Sequence, residues 1–207
     1  LNRKEFWSKS FYVSKETLIP RPETEIIVEK LIKIYKNRSI NLLDIGTGSG
    51  CILISLLSEL QNSKGVGIDI SKKALQLAKK NAIKHKIYER TKFIRGSFTN
   101  LYNKKFDLIV SNPPYIESGE IKNLDEDIKR HEPKIAIDGG NDGLDVIKKV
   151  IYKAKEILKI NGRLAIEIGD RQSKKVSKEL KINNFIIEKY IKDYKDNTRC
   201  LISKLIK

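Results

Sequence analysis

Asn112-Pro113-Pro114-Tyr115 brings together three groups that can hold a planar nitrogen. They are a carboxamide oxygen, a carbonyl on a residue with no N–H of its own, and an aromatic face. The tetrapeptide directly follows Phe106-Asp107-Leu108-Ile109-Val110-Ser111, an apolar run that reads as a buried strand. Two successive prolines cannot continue a central strand, because neither has an N–H for the ladder. The four residues therefore sit at the carboxyl end of a strand, where open α/β sheets bind ligands. An amide or exocyclic amine nitrogen is a poor nucleophile, since its lone pair is delocalised. Acceptors for its two N–H bonds, Asn112 Oδ1 and the Pro113 carbonyl, orient it and favour the tetrahedral nitrogen that forms on alkylation. Tyr115 can pack on the planar group, and its ring face attracts a nearby cation by roughly 0.5–2 kcal/mol.

A second cluster, Asp44-Ile45-Gly46-Thr47-Gly48-Ser49-Gly50, falls between an apolar strand and an apolar helix. Glycines there let the chain turn tightly and approach a ligand without Cβ obstruction. Asp69 ends the next strand, 19 positions after Gly50. A carboxylate at that place can accept bonds from both ribose hydroxyls of an adenosine group. A dinucleotide fingerprint wants glycine or alanine where this chain has Cys51, and it presents its pyrophosphate to the helix start. Asp44 suits a cationic amino group instead, which points to S-adenosylmethionine. Phe98, just after a third strand, is placed to stack on or cover the adenine. A dedicated base is not required, because the amide proton becomes strongly acidic as the new bond forms. His85 and His131 read as structural or surface residues.

The elements that must position these groups alternate strand and helix. Pro22-Glu23-Thr24-Glu25 opens a helix that continues to about Lys36, with proline in the first turn and acids favoured by the dipole. Strands are expected over residues 41–45, 65–69, 91–95 and 106–111, with helices from Ser49 to about Leu60 and from a Ser71 cap through Ala82. An amphipathic helix runs from Leu144 to Leu158, and Asn161-Gly162 turns it into a strand over Arg163 to Ile168. A helix over about Gln172 to Leu180 precedes two strands, Phe185 to Lys192 and Thr198 to Leu205, which form a closing antiparallel hairpin. This pattern predicts a doubly wound, mainly parallel seven-stranded sheet. Residues 1–22 are expected to form a small hairpin or lid with a linker, and residues 23–207 the main domain.

At 207 residues the chain suits one α/β domain. No apolar run approaches the roughly 18 residues of a membrane span, and no secretory pattern opens the sequence. Two cysteines, Cys51 and Cys200, suggest neither a disulfide framework nor a metal site, so a reducing cytoplasm is expected. The net charge of +16 raises the question of nucleic acid. The basic residues, however, are spread as pairs along the chain: Lys72-Lys73, Lys79-Lys80, Lys104-Lys105, Lys148-Lys149 and Lys174-Lys175. That spread reads as a solvated surface that can help steer an anionic partner. Direct nucleic-acid binding is the less favoured use of the charge.

Asn-Pro-Pro-Tyr behind an Asp-x-Gly-x-Gly-x-Gly loop resembles the Rossmann-like class I methyltransferases that act on planar amide or amino nitrogens. Thr17-Leu18-Ile19-Pro20-Arg21-Pro22-Glu23-Thr24-Glu25, preceded by Phe6-Trp7 and Phe11-Tyr12-Val13, narrows the resemblance to the peptide chain release factor glutamine methyltransferases. Glu132-Pro133, Gly139-Gly140 and Asp142-Gly143-Leu144 extend it over nearly the whole chain. The resemblance implies methylation of N5 of the glutamine in the Gly-Gly-Gln loop of bacterial release factors, with S-adenosylhomocysteine as product and translation termination as the setting. It also implies that Gly46, Thr47, Gly48, Ser49, Gly50, Asp69, Phe98 and Asn112 contact the donor. Asn112, Pro113, Pro114 and Tyr115 would hold the glutamine, with Asn112, Pro113 and Tyr115 at the reacting centre. Family members carry an acid before the aromatic, where this chain has Ser97. They also carry an amino-terminal helical domain that grips the release factor, so this chain is expected to be the catalytic part of a longer protein. A nucleic-acid amino methyltransferase and a non-catalytic partner subunit are the alternatives. The first usually needs extra elements to flip a base, and the second is opposed by the intact glycines, Asp69 and Asn112.

Overall fold

The computed structural model describes residues 2–102, 105–126, 129, 132–193 and 195–206. A two-stranded antiparallel hairpin, β1 (Asn2–Phe6) and β2 (Lys9–Val13), opens the chain. The main sheet comprises β3 (Asn41–Ile45), β4 (Lys64–Asp69), β5 (Thr91–Arg95), β6 (Phe106–Ser111), β7 (Leu158–Glu167), β8 (Phe185–Lys192) and β9 (Thr198–Leu205). Its order is β5-β4-β3-β6-β7-β9-β8. The five strands from β5 to β7 pair in parallel, and β9 pairs antiparallel with both β7 and β8. The doubly wound sheet with a closing antiparallel hairpin is thus the one the residue pattern predicts.

Among the described residues five α-helices cover the two faces: α1 (Pro22–Tyr35), α2 (Cys51–Glu59), α3 (Lys72–Lys84), α4 (Asp145–Ile157) and α5 (Ser173–Ile182). Successive strand side chains point to opposite faces, and the core divides accordingly. Leu42, Leu108, Ala165 and Ile202 pack with α1, α2 and the hairpin residues Phe6 and Phe11. Leu43, Ile109, Leu164 and Leu201 pack with α4 and α5 on the other side. Phe6 and Phe11 are fully buried, so the hairpin is part of the core on that face.

Among the boundaries that differ from the sequence reading, two have a backbone cause. The α2 helix starts at Cys51 rather than Ser49, because Gly50 occupies the left-handed region at φ 80° as its N-cap. β7 starts at Leu158 rather than Arg163. Asn161, at φ 66°, does not turn the chain out of the helix. It lies where pairing shifts from Phe106↔Leu158 to Leu108↔Arg163, so the extra residues form an irregularity inside the strand. Among the described residues no helix is long and apolar enough to cross a membrane.

Strand β3 is the switch point, with β4 on one side and β6 on the other. Ile45 pairs with Ile68 and Ser111, and Ser111 pairs with Ile166. One residue further along, Gly46, Asp69, Asn112 and Glu167 therefore share a row along the carboxyl edge of four adjacent strands.

Candidate active site

The glycine loop is built from that row. Gly46 and Thr47 both donate their N–H groups to the Ile68 carbonyl, at 2.9 and 3.1 Å, and Gly50 N donates to Thr47 O at 2.8 Å. Gly46 and Gly48 sit at φ 70° and 53°, and a Cβ on Gly46 would meet nothing within 4 Å. The loop thus presents bare backbone to open space. Gly50 is different: a Cβ there would lie 3.0 Å from Ile54 Cδ1 and 3.2 Å from the Ala78 Cβ. Its bareness serves the packing of α2 on α3.

Asp44 lies beneath the loop and is almost wholly buried. Thr47 Oγ1 donates to its Oδ2 at 2.7 Å. Burial is the chief reason its carboxyl is pushed up to about 7, opposed by the Thr47 hydroxyl and reinforced by the negative charge of Asp69. Asp69 is only partly buried. Its Oδ2 accepts from Gly48 N at 3.0 Å and its Oδ1 from Ser71 N at 2.9 Å. These bonds lock the end of β4 to the glycine loop and to the start of α3. Each carboxylate oxygen keeps a further lone pair for an outside donor.

Asn81 was not legible as a site residue. It is fully buried on α3, and its amide donates to Ser49 O at 2.9 Å and to Tyr12 O at 3.0 Å, while its oxygen accepts from Tyr12 N at 2.8 Å. One carboxamide thereby fastens the glycine loop, α3 and the hairpin together. The available signal was a polar residue on the Ala74, Ala78, Ala82 stripe of a helix, where a buried amide needs partners.

Phe98 begins a single 3-10 turn and packs partly against the core face shared with α4. Ser97 caps that turn, accepting from Thr99 N at 3.3 Å. His85 is engaged by the hairpin, its Nε2 3.0 Å from Ser10 O and its ring against Phe11. His131 and Lys104 lie outside the described residues.

The tetrapeptide begins where β6 ends. Ser111 Oγ donates to Ile45 O at 2.9 Å, tying its approach to the start of the glycine loop. Pro113 is buried, and Asn112, Pro114 and Tyr115 are partly exposed. Burial pushes the Tyr115 hydroxyl up to about 12, with the charge of Glu167 adding to the effect. The Tyr115 carbonyl accepts from Gln172 Nε2 at 2.9 Å, and Gln172 Oε1 accepts from Gly169 N at 2.8 Å. Behind it the chain comes close: a Cβ on Gly139 would sit 2.8 Å from the Tyr115 Cα, and one on Gly143 only 2.4 Å from the Tyr115 O. Gly139 and Gly143 are therefore a bare backing for the turn.

The stretch around Arg21 and Thr24 braces the same corner. Thr24, in the first turn of α1, donates its hydroxyl to Glu167 Oε2 at 2.7 Å. Arg21 pairs with the buried Glu132 carboxylate. Glu167 itself is only 3% exposed. Burial lifts its carboxyl to about 7, against the Thr24 hydroxyl, the Arg199 charge and the neighbouring Asn112 side chain. This acid was absent from the sequence reading. Its signal was an acid breaking the apolar run Leu164-Ala165-Ile166-Glu167-Ile168, as Asp44 breaks Leu42-Leu43-Asp44-Ile45.

The donor set fits an adenosyl sulfonium carrying an amino acid tail. A buried carboxylate suits the tail's cationic amino group, bare backbone admits close approach, and Asp69 at the end of β4 suits a ribose diol.

Residues 36–203 match the family model described as a methyltransferase domain. The chain is 44% identical over 207 residues to a release factor glutamine methyltransferase of Fusobacterium nucleatum, covering 99% of this chain and 58% of the relative. It is 37% identical to the release factor glutamine methyltransferase of Caulobacter vibrioides, covering 98% of this chain and 71% of that one. A bifunctional methyltransferase of Rickettsia bellii is 37% identical, with 100% of this chain matched to 42% of its length. The chain thus spans 58% of the length of the first of these relatives. Among solved structures, the ribosomal protein L11 methylase of Lactobacillus delbrueckii superposes with a TM-score of 0.67 at 19% identity, covering 92% of this chain and 81% of that one. A methyltransferase of Pyrococcus furiosus superposes with a TM-score of 0.70 at 17% identity, covering 95% and 89%. These two likenesses concern the fold.

Proposed function

Because this chain belongs to the release factor glutamine methyltransferase family, we propose that it methylates the side-chain amide nitrogen of the glutamine in the Gly-Gly-Gln loop of bacterial release factors. S-adenosylmethionine is the proposed donor and S-adenosylhomocysteine the product. The observation that carries this reading is the shared row at the sheet edge. Asn112 stands there between the glycine loop on one side and Glu167 on the other. Donor and acceptor sites are thereby adjacent, as an in-line displacement requires.

When bound, the donor supplies an electrophilic methyl on a positively charged sulfur. Asp44 holds the amino group of its tail, Asp69 the ribose hydroxyls, and the backbone of Gly46 to Gly50 the space between. Phe98 covers the adenine. Asn112 Oδ1 and the Pro113 carbonyl accept the two amide N–H bonds of the glutamine and aim its nitrogen at the methyl carbon. The nitrogen lone pair forms the new N–C bond while the S–C bond breaks, and the nitrogen then loses one proton to water. Tyr115 packs on the amide plane. Its hydroxyl, held up to about 12, stays neutral and is not the base. Orienting the two reactants can contribute up to about 7–11 kcal/mol.

The test is transfer of labelled methyl from S-adenosylmethionine to purified release factor, with a Gln-to-Ala acceptor as control. Label on the glutamine alone is the expected result. Label on RNA or DNA, with none on release factor, would overturn the assignment.

A further inference from the structure

Strand β1 takes one side of β2, and on the other side Tyr12 meets a single side chain with both of its backbone groups. Its N–H donates to Asn81 Oδ1 at 2.8 Å, and its carbonyl accepts from Asn81 Nδ2 at 3.0 Å. In an antiparallel strand the N–H and C=O of one residue point to the same side. The carboxamide thus completes the hairpin's ladder as a peptide group of a third strand would. The amide nitrogen also donates to Ser49 O at 2.9 Å, so both N–H bonds and the oxygen of Asn81 are in use. Turned the other way, the carboxamide would set its oxygen against the carbonyls of Tyr12 and Ser49. Tyr12 therefore fixes which end of Asn81 faces the glycine loop.

Ser49 is the point where that grip acts. It lies one residue before the N-cap Gly50, whose carbonyl is the first acceptor of the α2 ladder, from Ile54 N at 2.9 Å. The Ser49 carbonyl precedes that ladder, and Ser49 is buried, so the carbonyl needs a donor from elsewhere. Asn81 is that donor. The other end of the same peptide is held as well, because Gly50 N donates to Thr47 O at 2.8 Å. Of the N–H groups from Gly46 to Gly50, those of Gly46, Thr47, Gly48 and Gly50 have acceptors in the protein. Among the described residues only the Ser49 N–H has none, which leaves it to a bound ligand. The hairpin is seated one turn further along α3, where His85 Nε2 lies 3.0 Å from Ser10 O and the His85 ring packs on Phe11 with centroids 4.9 Å apart.

We propose that Asn81 is a positioning residue for the donor site and that it makes the hairpin part of that site. The docked hairpin holds Asn81 in the geometry that pins Ser49, and a bound donor in turn tightens the hairpin on α3. Lifting β2 away removes two of the three hydrogen bonds of Asn81. The carboxamide is then free to rotate, and the Ser49 carbonyl loses its fixed donor. Linkage makes the effect reciprocal, so the factor by which the hairpin improves donor binding is the factor by which the donor steadies the hairpin. This role rests on the reading of Gly46 to Gly50 as the donor loop.

The test is amide hydrogen exchange of the whole chain with and without saturating S-adenosylhomocysteine, together with calorimetry of the same ligand. The Tyr12 N–H is the reporter, since its acceptor is Asn81 itself. The ligand should slow its exchange by roughly 5- to 150-fold, the usual range for coupled sites. Tyr12→Pro replaces that N–H by a ring carbon pointing at Asn81, whereas Tyr12→Val removes the same aromatic ring and keeps the N–H. Ligand affinity should fall by a similar factor in Asn81→Ala and in Tyr12→Pro, and should hold in Tyr12→Val. In turnover on release factor, Asn81→Ala should raise the KM for S-adenosylmethionine far more than it lowers kcat. Mere loss of folded protein would lower the rate and leave KM alone. A Tyr12 amide whose exchange ignores the bound ligand, or a Tyr12→Pro protein that binds as tightly as Tyr12→Val, overturns the proposal. Should Asn81→Ala fail to fold, the comparison of Tyr12→Pro with Tyr12→Val decides. If release factor is not methylated yet the ligand protects Tyr12, the substrate assignment fails and the coupling stands. If release factor is methylated while Tyr12 exchange and Tyr12→Pro show no coupling, the positioning role alone fails.

Discussion

Replacing Asp44 by asparagine should make the ligand-free protein more stable at pH 8 while crippling its grip on the donor. The Asp44 carboxyl is almost wholly buried, and its proton affinity rises from the ordinary 3.8 to about 7, chiefly through burial. At about 1.4 kcal/mol for each tenfold change in proton affinity, ionising it inside the fold costs at most roughly 4 kcal/mol. The sign follows from linkage. A group with a raised folded-state pKa binds more protons folded than unfolded, so its contribution to stability is full below about 3.8 and is lost as pH rises through about 7. A neutral carboxamide in its place would carry no such penalty. Urea titrations should therefore show Asp44→Asn ahead of the wild type at pH 8, with that advantage shrinking by roughly 2–3 kcal/mol at pH 5. Calorimetry with S-adenosylhomocysteine should show the reverse for binding. The ligand's amino group offsets the buried charge, so wild-type affinity should weaken about tenfold for each pH unit below 7, whereas Asp44→Asn should bind weakly at every pH. A variant that is no more stable at pH 8, or that binds the ligand as the wild type does, would refute the pairing of Asp44 with a cationic group.

Four further substitutions can be measured on the same footing. Asn112→Ala should abolish most methyl transfer while sparing S-adenosylhomocysteine affinity, because an unpaired acceptor N–H costs roughly 1–3 kcal/mol; equal loss of both in calorimetry and turnover would make Asn112 mainly a donor contact. Gly50→Ala should cost about 1–3 kcal/mol in a urea melt, combining a left-handed φ with contacts of 3.0 and 3.2 Å to Ile54 and Ala78. Gly46→Ala, also left-handed but facing open space, should cost only about 1 kcal/mol of stability yet weaken donor binding more. Arg21→Ala should destabilise by about 1–2 kcal/mol, discounted for the partial exposure of Arg21, because it leaves the buried Glu132 carboxylate without its cation. Adding Glu132→Gln should recover most of that loss, and failure to do so in a double-mutant cycle would separate the two residues.

The sheet was legible because its strands obey one rule each. Central strands such as Leu42-Leu43-Asp44-Ile45 and Leu108-Ile109-Val110 are apolar on both faces, as a sheet covered by two helical layers requires. The α4 helix was plain from Leu144, Ile147, Val150, Ile151 and Ala154, which repeat on a single stripe and are buried together. The errors fell where backbone conformation overrides pattern. Asn161-Gly162 has the composition of a turn, yet a left-handed residue also suits a strand irregularity, and pairing of Leu158 with Phe106 chose the latter. Side-chain chemistry alone carries no information about which of these the neighbouring strand will enforce.

The site divides along the same line. Glycines and prolines betray themselves, because a positive φ or a missing N–H restricts which residue can stand there. Their supports are ordinary residues in ordinary elements. Thr24 looks like a helix-start residue, Gln172 a helix-flanking one and Asn81 a helical polar residue. Only the fold puts them against Glu167, the Tyr115 carbonyl and the Ser49 carbonyl respectively. The exceptions are Asp44 and Glu167, whose placement within apolar strand ends is costly enough to be a sequence signal. Each is a buried acid held near neutrality with a hydroxyl donating to it. Two such acids at one sheet edge destabilise the ligand-free fold as pH rises, because burial outweighs the hydroxyls and the Arg199 charge that favour ionisation. Their positions flank the transfer row from below the donor loop and beside the acceptor turn. A fold that needed only stability would have apolar residues at both places, so the carboxylates mark what the edge of the sheet must hold.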